Sequence, residues 1–154
     1  MIDFAVVGTG WRTEFYLRCA RACPDRFRIT GVVSRDPSSK TEMADTYGVD
    51  IVSTIDELLA RETPQFVVSS VPWTINPLVI QELAGHGMPV LSETPPATSV
   101  DEMNALCDLV TAGAKIQVAE QFHLQPLHAA RISYARGGKI GRVSQVQMSV
   151  CHGY

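Results

Sequence analysis

The residues with the clearest chemical potential stand near the N-terminus, where Gly8-Thr9-Gly10 follows the short apolar segment Ile2–Val7 and opens a helical stretch. Gly8 permits a tight turn, and Gly10 lets a phosphate group approach the backbone at the start of a helix. Free amide groups and the helix dipole attract anions there. Thr13 stands where the third glycine of this fingerprint is expected, which loosens the match. The pattern predicts a dinucleotide site, with a plain strand-to-helix turn as the alternative.

The second predicted strand, Phe27–Val33, is followed by Ser34 and Arg35. In dinucleotide-binding sheets an acidic residue at this point binds the ribose 2′-hydroxyl of NAD, whereas an arginine accommodates the 2′-phosphate of NADP. Asp36 comes two residues after Ser34 and is interpreted as a helix cap. The sequence therefore favours NADP over NAD, unless Arg35 is only a solvated surface charge.

Aromatic and histidine residues supply weaker signals. Trp11 and Trp73 are candidates to flank the cofactor, or else to lie in an interface between domains. His123 and His128 are five residues apart, a poor spacing for two ligands on one helical face, so no metal site is predicted.

Short strands alternating with longer helices must position these residues. Apolar runs predict further strands at residues 51–52, 65–70, 89–92 and 115–119. Strands with near-continuous apolar runs that alternate with helices indicate an α/β fold, a doubly wound parallel sheet with helices on both faces. The helix boundaries are predicted from Asp36-Pro37 and Asn76-Pro77 as caps followed by proline, from capping boxes at Thr54–Glu57 and Ser99–Glu102, and from Gly48 as a stop.

The pattern changes after Pro126, where an amphipathic helix is predicted to end at Gly137-Gly138. Residues 143–150 alternate between polar and apolar with a period of two, which is typical of a strand with one wet face. We interpret it as the first strand of a second α/β domain, at which the chain is truncated. The predicted boundaries are a nucleotide-binding domain over residues 1–122, and a connecting helix and first strand of a missing C-terminal domain over residues 123–154.

Composition excludes several classes of protein. The 154 residues include 13 basic and 16 acidic side chains, and a net charge of −3 argues against a nucleic-acid partner. No apolar run approaches the roughly 18 residues of a membrane span, and the N-terminus lacks the features of a signal peptide. The four cysteines form no CxxC pair, which predicts reduced, buried thiols in a cytoplasmic protein.

Four segments, taken in order, resemble the Gfo/Idh/MocA family of glucose–fructose oxidoreductase, inositol dehydrogenase and rhizopine-catabolism proteins. They are Gly8-Thr9-Gly10, Ser34-Arg35-Asp36-Pro37, Ser70-Val71-Pro72 and Ser92-Glu93-Thr94-Pro95. The resemblance covers essentially the whole chain. It implies a Rossmann domain that binds NADP or NAD, and a second α/β domain that holds a carbohydrate-like substrate and mediates homo-oligomers. Relatives oxidise or reduce sugars, cyclitols and related carbonyl compounds.

The motifs and this resemblance together give a set of expected site residues. Glu120 and His123 are expected on the substrate side. The cofactor is expected to contact Gly8, Thr9, Gly10, Trp11, Arg12, Ser34, Arg35, Ser70, Val71, Pro72, Trp73, Asn76, Glu93 and Thr94.

One departure from the family pattern bears on catalysis. The family hallmark is Glu-Lys-Pro, whose lysine lies beside the nicotinamide, whereas this chain has Glu93-Thr94-Pro95. Threonine does not readily donate a proton to a carbonyl, so no catalytic residue is assigned. Glu93 and Thr94 are expected to face the cofactor, in a tight turn that favours a cis proline. Three hypotheses remain: an NADP-dependent oxidoreductase with another acid such as His123, which we favour, a cofactor-binding regulator, and an isolated interaction module.

Overall fold

The computed structural model describes residues 1–147 and 149. Six strands form one sheet in the order β3-β2-β1-β4-β5-β6, and every neighbouring pair is parallel. The predicted doubly wound parallel α/β sheet is confirmed. The strands are β1 (Ile2–Val7), β2 (Phe27–Val33), β3 (Ile51–Val52), β4 (Phe66–Ser69), β5 (Val90–Ser92) and β6 (Ile116–Val118).

Helices connect the strands, and two short 3-10 turns, Pro37–Lys40 and Phe122–Leu124, precede helices. The helices are α1 (Trp11–Ala22), α2 (Thr41–Tyr47), α3 (Ile55–Arg61), α4 (Asn76–Gly85), α5 (Val100–Thr111) and α6 (Pro126–Arg136). Within the described residues, none has the length and apolar character that crossing a membrane requires.

The core lies on both faces of the sheet because successive side chains of a strand point in opposite directions. Phe4 and Val6 of β1 pack with Leu17 of α1 in one buried cluster. Ala5 and Val7 belong to a second cluster on the other face, which contains side chains of α3, α4 and α5. Burial of both faces explains why β1 from Phe4 onward and β4 up to Val68 are apolar at successive positions.

Most of the predicted helix boundaries are found. Gly48 ends α2 with a left-handed backbone (φ +60°), and Ser99 and Glu102 form a reciprocal capping box at α5. Thr54 accepts a hydrogen bond from the Glu57 amide, but the Glu57 carboxylate accepts from Ser53 instead of completing the box.

The two predicted caps that precede a proline differ from expectation. Asp36 stands before a 3-10 turn, and its carboxylate accepts a hydrogen bond from the Ser38 hydroxyl and caps no backbone amide of that turn. Asn76 is the first residue of α4, and Ile75 occupies the cap position. The prediction of Asn76 as a cap was wrong, because its side chain is buried and its carboxamide bonds to Ser69 and to the carbonyls of Glu93 and Pro95.

The segment after residue 119 also differs from the sequence-based prediction. The described part of residues 120–154 forms a compact unit separate from residues 1–119. Helix α6 forms as predicted, but none of its side chains is buried. Residues 143–147 and 149 form no strand, while Met148 and residues 150–154 of the predicted strand region lie outside the described residues. The alternating pattern alone does not make a strand, because a strand needs a hydrogen-bonded neighbour.

The prediction of buried thiols is wrong for two of the cysteines: Cys19 and Cys107 are exposed, and Cys23 is half-buried at the end of α1. Cys151 lies outside the described residues.

Candidate functional site

The candidate site is the carboxyl edge of the sheet, where β1 and β4 end side by side. From β1 the chain continues to β2 and β3 on one side, and from β4 it continues to β5 and β6 on the other. This reversal creates a crevice in which doubly wound sheets bind their ligands. The Ser70 amide donates to the Val7 carbonyl at 2.8 Å, and the Gly8 amide donates to the Val33 carbonyl at 2.9 Å. The ends of β2, β1 and β4 are therefore held in register.

The turn formed by residues 8–10, here called the glycine turn, leaves no room for a side chain at its first position. Gly8 has φ +111°, and a Cβ there would lie 2.1 Å from the Ser70 carbonyl oxygen. Gly10 differs, because apart from Gly10 itself and its two chain neighbours no atom of the described residues lies within 4 Å of the position of its Cβ. The first glycine thus allows the turn to approach β4, and the space beside the second is open.

Thr13 replaces the third glycine of the fingerprint and is completely buried. Its hydroxyl donates to the Gly8 carbonyl at 3.0 Å and lies 3.3 Å from the Ser70 hydroxyl. The substitution that loosened the sequence match therefore links the glycine turn to the end of β4.

The N-terminus of α1 faces this open space without a side-chain cap. Gly10 occupies the cap position with an extended backbone, and as a glycine it offers no side chain to cap the backbone amides of the first turn. Trp11 and Arg12 begin the helix, and both are exposed. Uncapped amides and the helix dipole suit a pyrophosphate, so the residues present fit a dinucleotide at this point.

At the end of β2, Ser34 is buried and Arg35 is exposed. The Ser34 hydroxyl accepts a hydrogen bond from the Asp36 amide at 3.3 Å. The Ser38 hydroxyl donates to the Asp36 carboxylate at 2.6 Å, and this bond is the main reason that the pKa of Asp36 is lowered. Asp36 is thus an exposed carboxylate bonded within its own loop.

Glu93, directly after β5, is contacted by two residues of α1. The Tyr16 hydroxyl donates to Glu93 Oε1 at 2.6 Å, and Arg12 Nε lies 3.7 Å from Glu93 Oε2. Burial, followed by the hydrogen bond to Glu93, raises the pKa of Tyr16 well above its ordinary value. The phenol therefore stays protonated and remains a donor even near pH 10.0, where an ordinary tyrosine is half ionised. The Arg12 guanidinium also stacks on Trp11, 4.2 Å from the ring centroid.

The segment Glu93-Thr94-Pro95, here called the β5 turn, presents Thr94 to solvent, and its Thr94–Pro95 bond is cis, as expected. The carbonyl oxygens of Glu93 and Pro95 both accept hydrogen bonds from the Asn76 carboxamide. This contact with Asn76 carried no sequence signal, because it joins residues nearly twenty positions apart.

The remaining predicted residues fall into two groups. Thr9 and Val71 are half-buried, and Pro72 and Trp73 are exposed in the connection from β4 to α4. Glu120 and His123 belong to the second unit and are exposed there. The structure brings the ends of β2, β1, β4 and β5 to one edge, and the ligand contacts assigned to these residues remain predictions. Among residues 1–147 and 149, no three potential metal-binding side chains cluster together.

A parallel doubly wound sheet with a glycine turn at its switch point defines a dinucleotide-binding Rossmann domain. A sequence model described as "Oxidoreductase family, NAD-binding Rossmann fold" (GFO_IDH_MocA) matches residues 2–122. The chain belongs to the Gfo/Idh/MocA family of oxidoreductases, as the sequence resemblance indicated.

Several relatives are similar to this chain. The scyllo-inositol 2-dehydrogenase (NADP(+)) IolU of Bacillus subtilis is 27% identical over 117 residues, which are 75% of this chain and 35% of the relative. The WlbA dehydrogenase of Chromobacterium violaceum, solved with NADH and UDP-GlcNAcA, has a TM-score of 0.82 at 20% identity and matches 92% of this chain and 41% of its own.

GenD2 from gentamicin A biosynthesis, solved with NAD, has a TM-score of 0.75 at 26% identity and matches 89% of this chain and 40% of its own. The chain spans 29% and 35% of the length of the curated relatives that it matches.

Proposed function

We propose that this chain is the NAD(P)-binding half of an oxidoreductase that acts on a sugar, a polyol or a related carbonyl compound. The glycine turn carries this proposal, since Gly10 adjoins open space at the uncapped start of α1. The named activity of the Bacillus subtilis relative, a scyllo-inositol 2-dehydrogenase, supports a polyol or sugar as the substrate. The nucleotides bound to WlbA and GenD2 support a nicotinamide cofactor.

In this proposal each end of a dinucleotide has a separate set of residues. The amides that follow Gly10 would hold the pyrophosphate, and Ser34 and Arg35 would hold the adenosine ribose. The β5 turn would hold the nicotinamide, which would supply the hydride transfer. The protein's part is to fix these positions, because a hydride moves only between closely aligned atoms.

NADP is the favoured cofactor. Arg35 is exposed and free to approach a 2′-phosphate, and a charge-assisted bond to phosphate is among the stronger polar contacts. Asp36 is the nearest carboxylate in sequence that could bind a ribose 2′-hydroxyl. Its hydrogen bond to Ser38 and its place before the 3-10 turn support a structural role instead.

The test is to titrate NADPH and NADH against the chain and against Arg35→Ala. The variant should lose about 10-fold to 100-fold in NADPH affinity and little in NADH affinity, as expected for the loss of a charge-assisted hydrogen bond of about 1.5–3 kcal/mol. Arg18→Ala, which removes an exposed arginine of α1, is the matched control. Equal affinities of the chain for both cofactors, or equal losses in the variant, contradict the NADP preference.

The residue at position 94 favours a second candidate, a cofactor-binding regulator without catalysis. Thr94 is exposed in the β5 turn, where the family resemblance places a lysine. A threonine hydroxyl does not readily give up a proton near neutral pH, so an enzyme of this design needs its acid elsewhere.

The 154-residue chain by itself should turn over no substrate, because we propose that a second domain completes the pocket. Excluding water and aligning the hydride require groups on both sides of the substrate. The measurement is the absorbance of NADPH formed when the chain is mixed with NADP+ and either scyllo-inositol or simple sugars. Binding of NADP+ without turnover is the expected result. Steady turnover by the chain alone contradicts the division into two halves.

A further inference from the structure

Asn76 is the most completely bonded polar side chain at the sheet edge, and only 1% of its surface is exposed. Its carboxamide oxygen accepts from the Ser69 hydroxyl at 2.7 Å, and its nitrogen lies 3.0 Å from the Ser92 hydroxyl. The same nitrogen donates to the carbonyls of Glu93 at 3.1 Å and Pro95 at 3.0 Å. One buried amide therefore joins the start of α4, the ends of β4 and β5, and the β5 turn.

Tyr16 holds the same turn from α1. Its hydroxyl donates to the Glu93 carboxylate at 2.6 Å, and its ring packs against the buried cluster that contains Leu17. A half-buried phenol on a packed helix has few alternative positions, so the carboxylate that it bonds is also confined.

We propose that Asn76 and Tyr16 are positioning residues that fix the β5 turn for the nicotinamide end of the dinucleotide, and that neither touches the cofactor. This inference rests on the proposed function. It changes the role of Asn76 from a cofactor contact to a residue that acts through Glu93 and Pro95.

The sheet order explains why the effect should be confined to one end of the ligand. Ser34 follows β2 and Glu93 follows β5, and β1 and β4 lie between them. Three strand spacings of about 4.8 Å separate the two ends by about 14 Å. A ligand that occupies only the adenosine end does not reach the β5 turn, whereas a whole dinucleotide extends toward it.

Two variants remove the two contacts with little change in shape. Asn76→Asp replaces the donor nitrogen by an acceptor, which faces the carbonyl oxygens of Glu93 and Pro95. Tyr16→Phe deletes only the hydroxyl, and it carries the test if Asn76→Asp does not fold. Asn104→Asp at an exposed position of α5 and Tyr47→Phe in the cluster that Tyr16 contacts are the matched controls.

Two probes separate positioning from general stability. NADPH extends from the adenosine end to the β5 turn, and adenosine 2′,5′-bisphosphate fills only the adenosine end. At a temperature where each variant is folded, Asn76→Asp should weaken NADPH binding about 10-fold and Tyr16→Phe about 3-fold to 10-fold. Both variants should bind the bisphosphate within about twofold of the unmodified chain, and both controls should bind both probes normally.

Equal losses for the two probes overturn the inference, because they indicate a general structural role. Unchanged NADPH affinity in both variants also overturns it, since the β5 turn would then not contribute to binding. An unmodified chain that binds neither probe overturns the proposed function and the inference together. That failure differs from the other two because it appears before any substitution is made.

Discussion

The glycine turn and the β5 turn lie at the same edge of the sheet, but they are held by different means. The glycine turn depends on backbone geometry: Gly8 approaches the Ser70 carbonyl, and the buried hydroxyl of Thr13 joins the two segments. The β5 turn depends on side chains, namely the Asn76 carboxamide and the Glu93 carboxylate, and it leaves Thr94 exposed.

Dinucleotide binding and hydride chemistry therefore place separate demands on the sequence. A pyrophosphate needs backbone amides and space, which almost any sequence with the correct glycines supplies. Proton transfer needs one side chain of suitable pKa at one position. The chain retains the first requirement and departs from the family pattern at the second, so the two functions can be tested apart.

The largest effect is expected from Gly8→Ala, which tests whether backbone geometry alone sustains the glycine turn. A Cβ would lie 2.1 Å from the Ser70 carbonyl oxygen, and alanine disfavours φ +111°. The variant should lose at least about 2 kcal/mol of unfolding free energy, and measurable NADPH binding should disappear. Chemical denaturation and cofactor titration measure the two effects.

Gly85→Ala is the control for this change. Gly85 is the last residue of α4, and outside its chain neighbours and the backbone of its own helix no atom of the described residues lies within 4 Å of its Cβ position. The unfolding free energy of Gly85→Ala should stay the same or rise slightly, because alanine is a better helix former than glycine. Normal NADPH binding by Gly8→Ala would show that the close approach to β4 is unnecessary.

A smaller effect is expected from Thr13→Val, which keeps the shape and removes the hydroxyl. The Gly8 carbonyl would lose its buried donor, at a cost of about 1–3 kcal/mol. NADPH affinity should also fall, because the glycine turn would lose the Thr13 hydroxyl that links it to Ser70. Thr111→Val, at the exposed end of α5, makes the same chemical change as a control. Equal unfolding free energies for the two variants would contradict a special role for Thr13.

Local sequence signals predicted the parts of the fold that local chemistry decides. The strand and helix order followed from apolar runs, and Gly48 and the Ser99–Glu102 capping box each act within one turn of a helix. The glycine turn was also recognisable, because its glycines and the strand before it are adjacent in sequence.

Features that depend on distant partners were predicted poorly. Asn76 resembles a cap in the sequence, but its partners come from β4, β5 and the β5 turn. The sequence alone indicated only that Thr13 loosens the match to the glycine fingerprint. Its bond to Gly8 and its approach to Ser70 exist only in the folded chain. Residues 143–147 and 149 alternate like a strand and yet form none, since pairing cannot be read from one strand alone.

The smallest effect is expected from Thr94→Lys, which restores the family residue at the β5 turn. Thr94 is exposed, so a lysine should be accepted with a change in unfolding free energy of at most about 0.5 kcal/mol. Its contribution to NADPH affinity should be within a few-fold, because an exposed ion pair is worth about 0–1 kcal/mol. In a protein that carries the proposed second domain, turnover should stay the same or fall, since the acid of such an enzyme lies elsewhere.

Thr74→Lys is the control for this last change, because it places a cation in the connection that follows β4 at the same sheet edge. New turnover in Thr94→Lys but not in Thr74→Lys would contradict the hypothesis of an oxidoreductase whose acid lies elsewhere. It would indicate that a lysine at this one position is sufficient for catalysis and that the chain otherwise retains a competent site. The protein would then be better described as a cofactor-binding regulator whose loss of activity lies in the β5 turn alone.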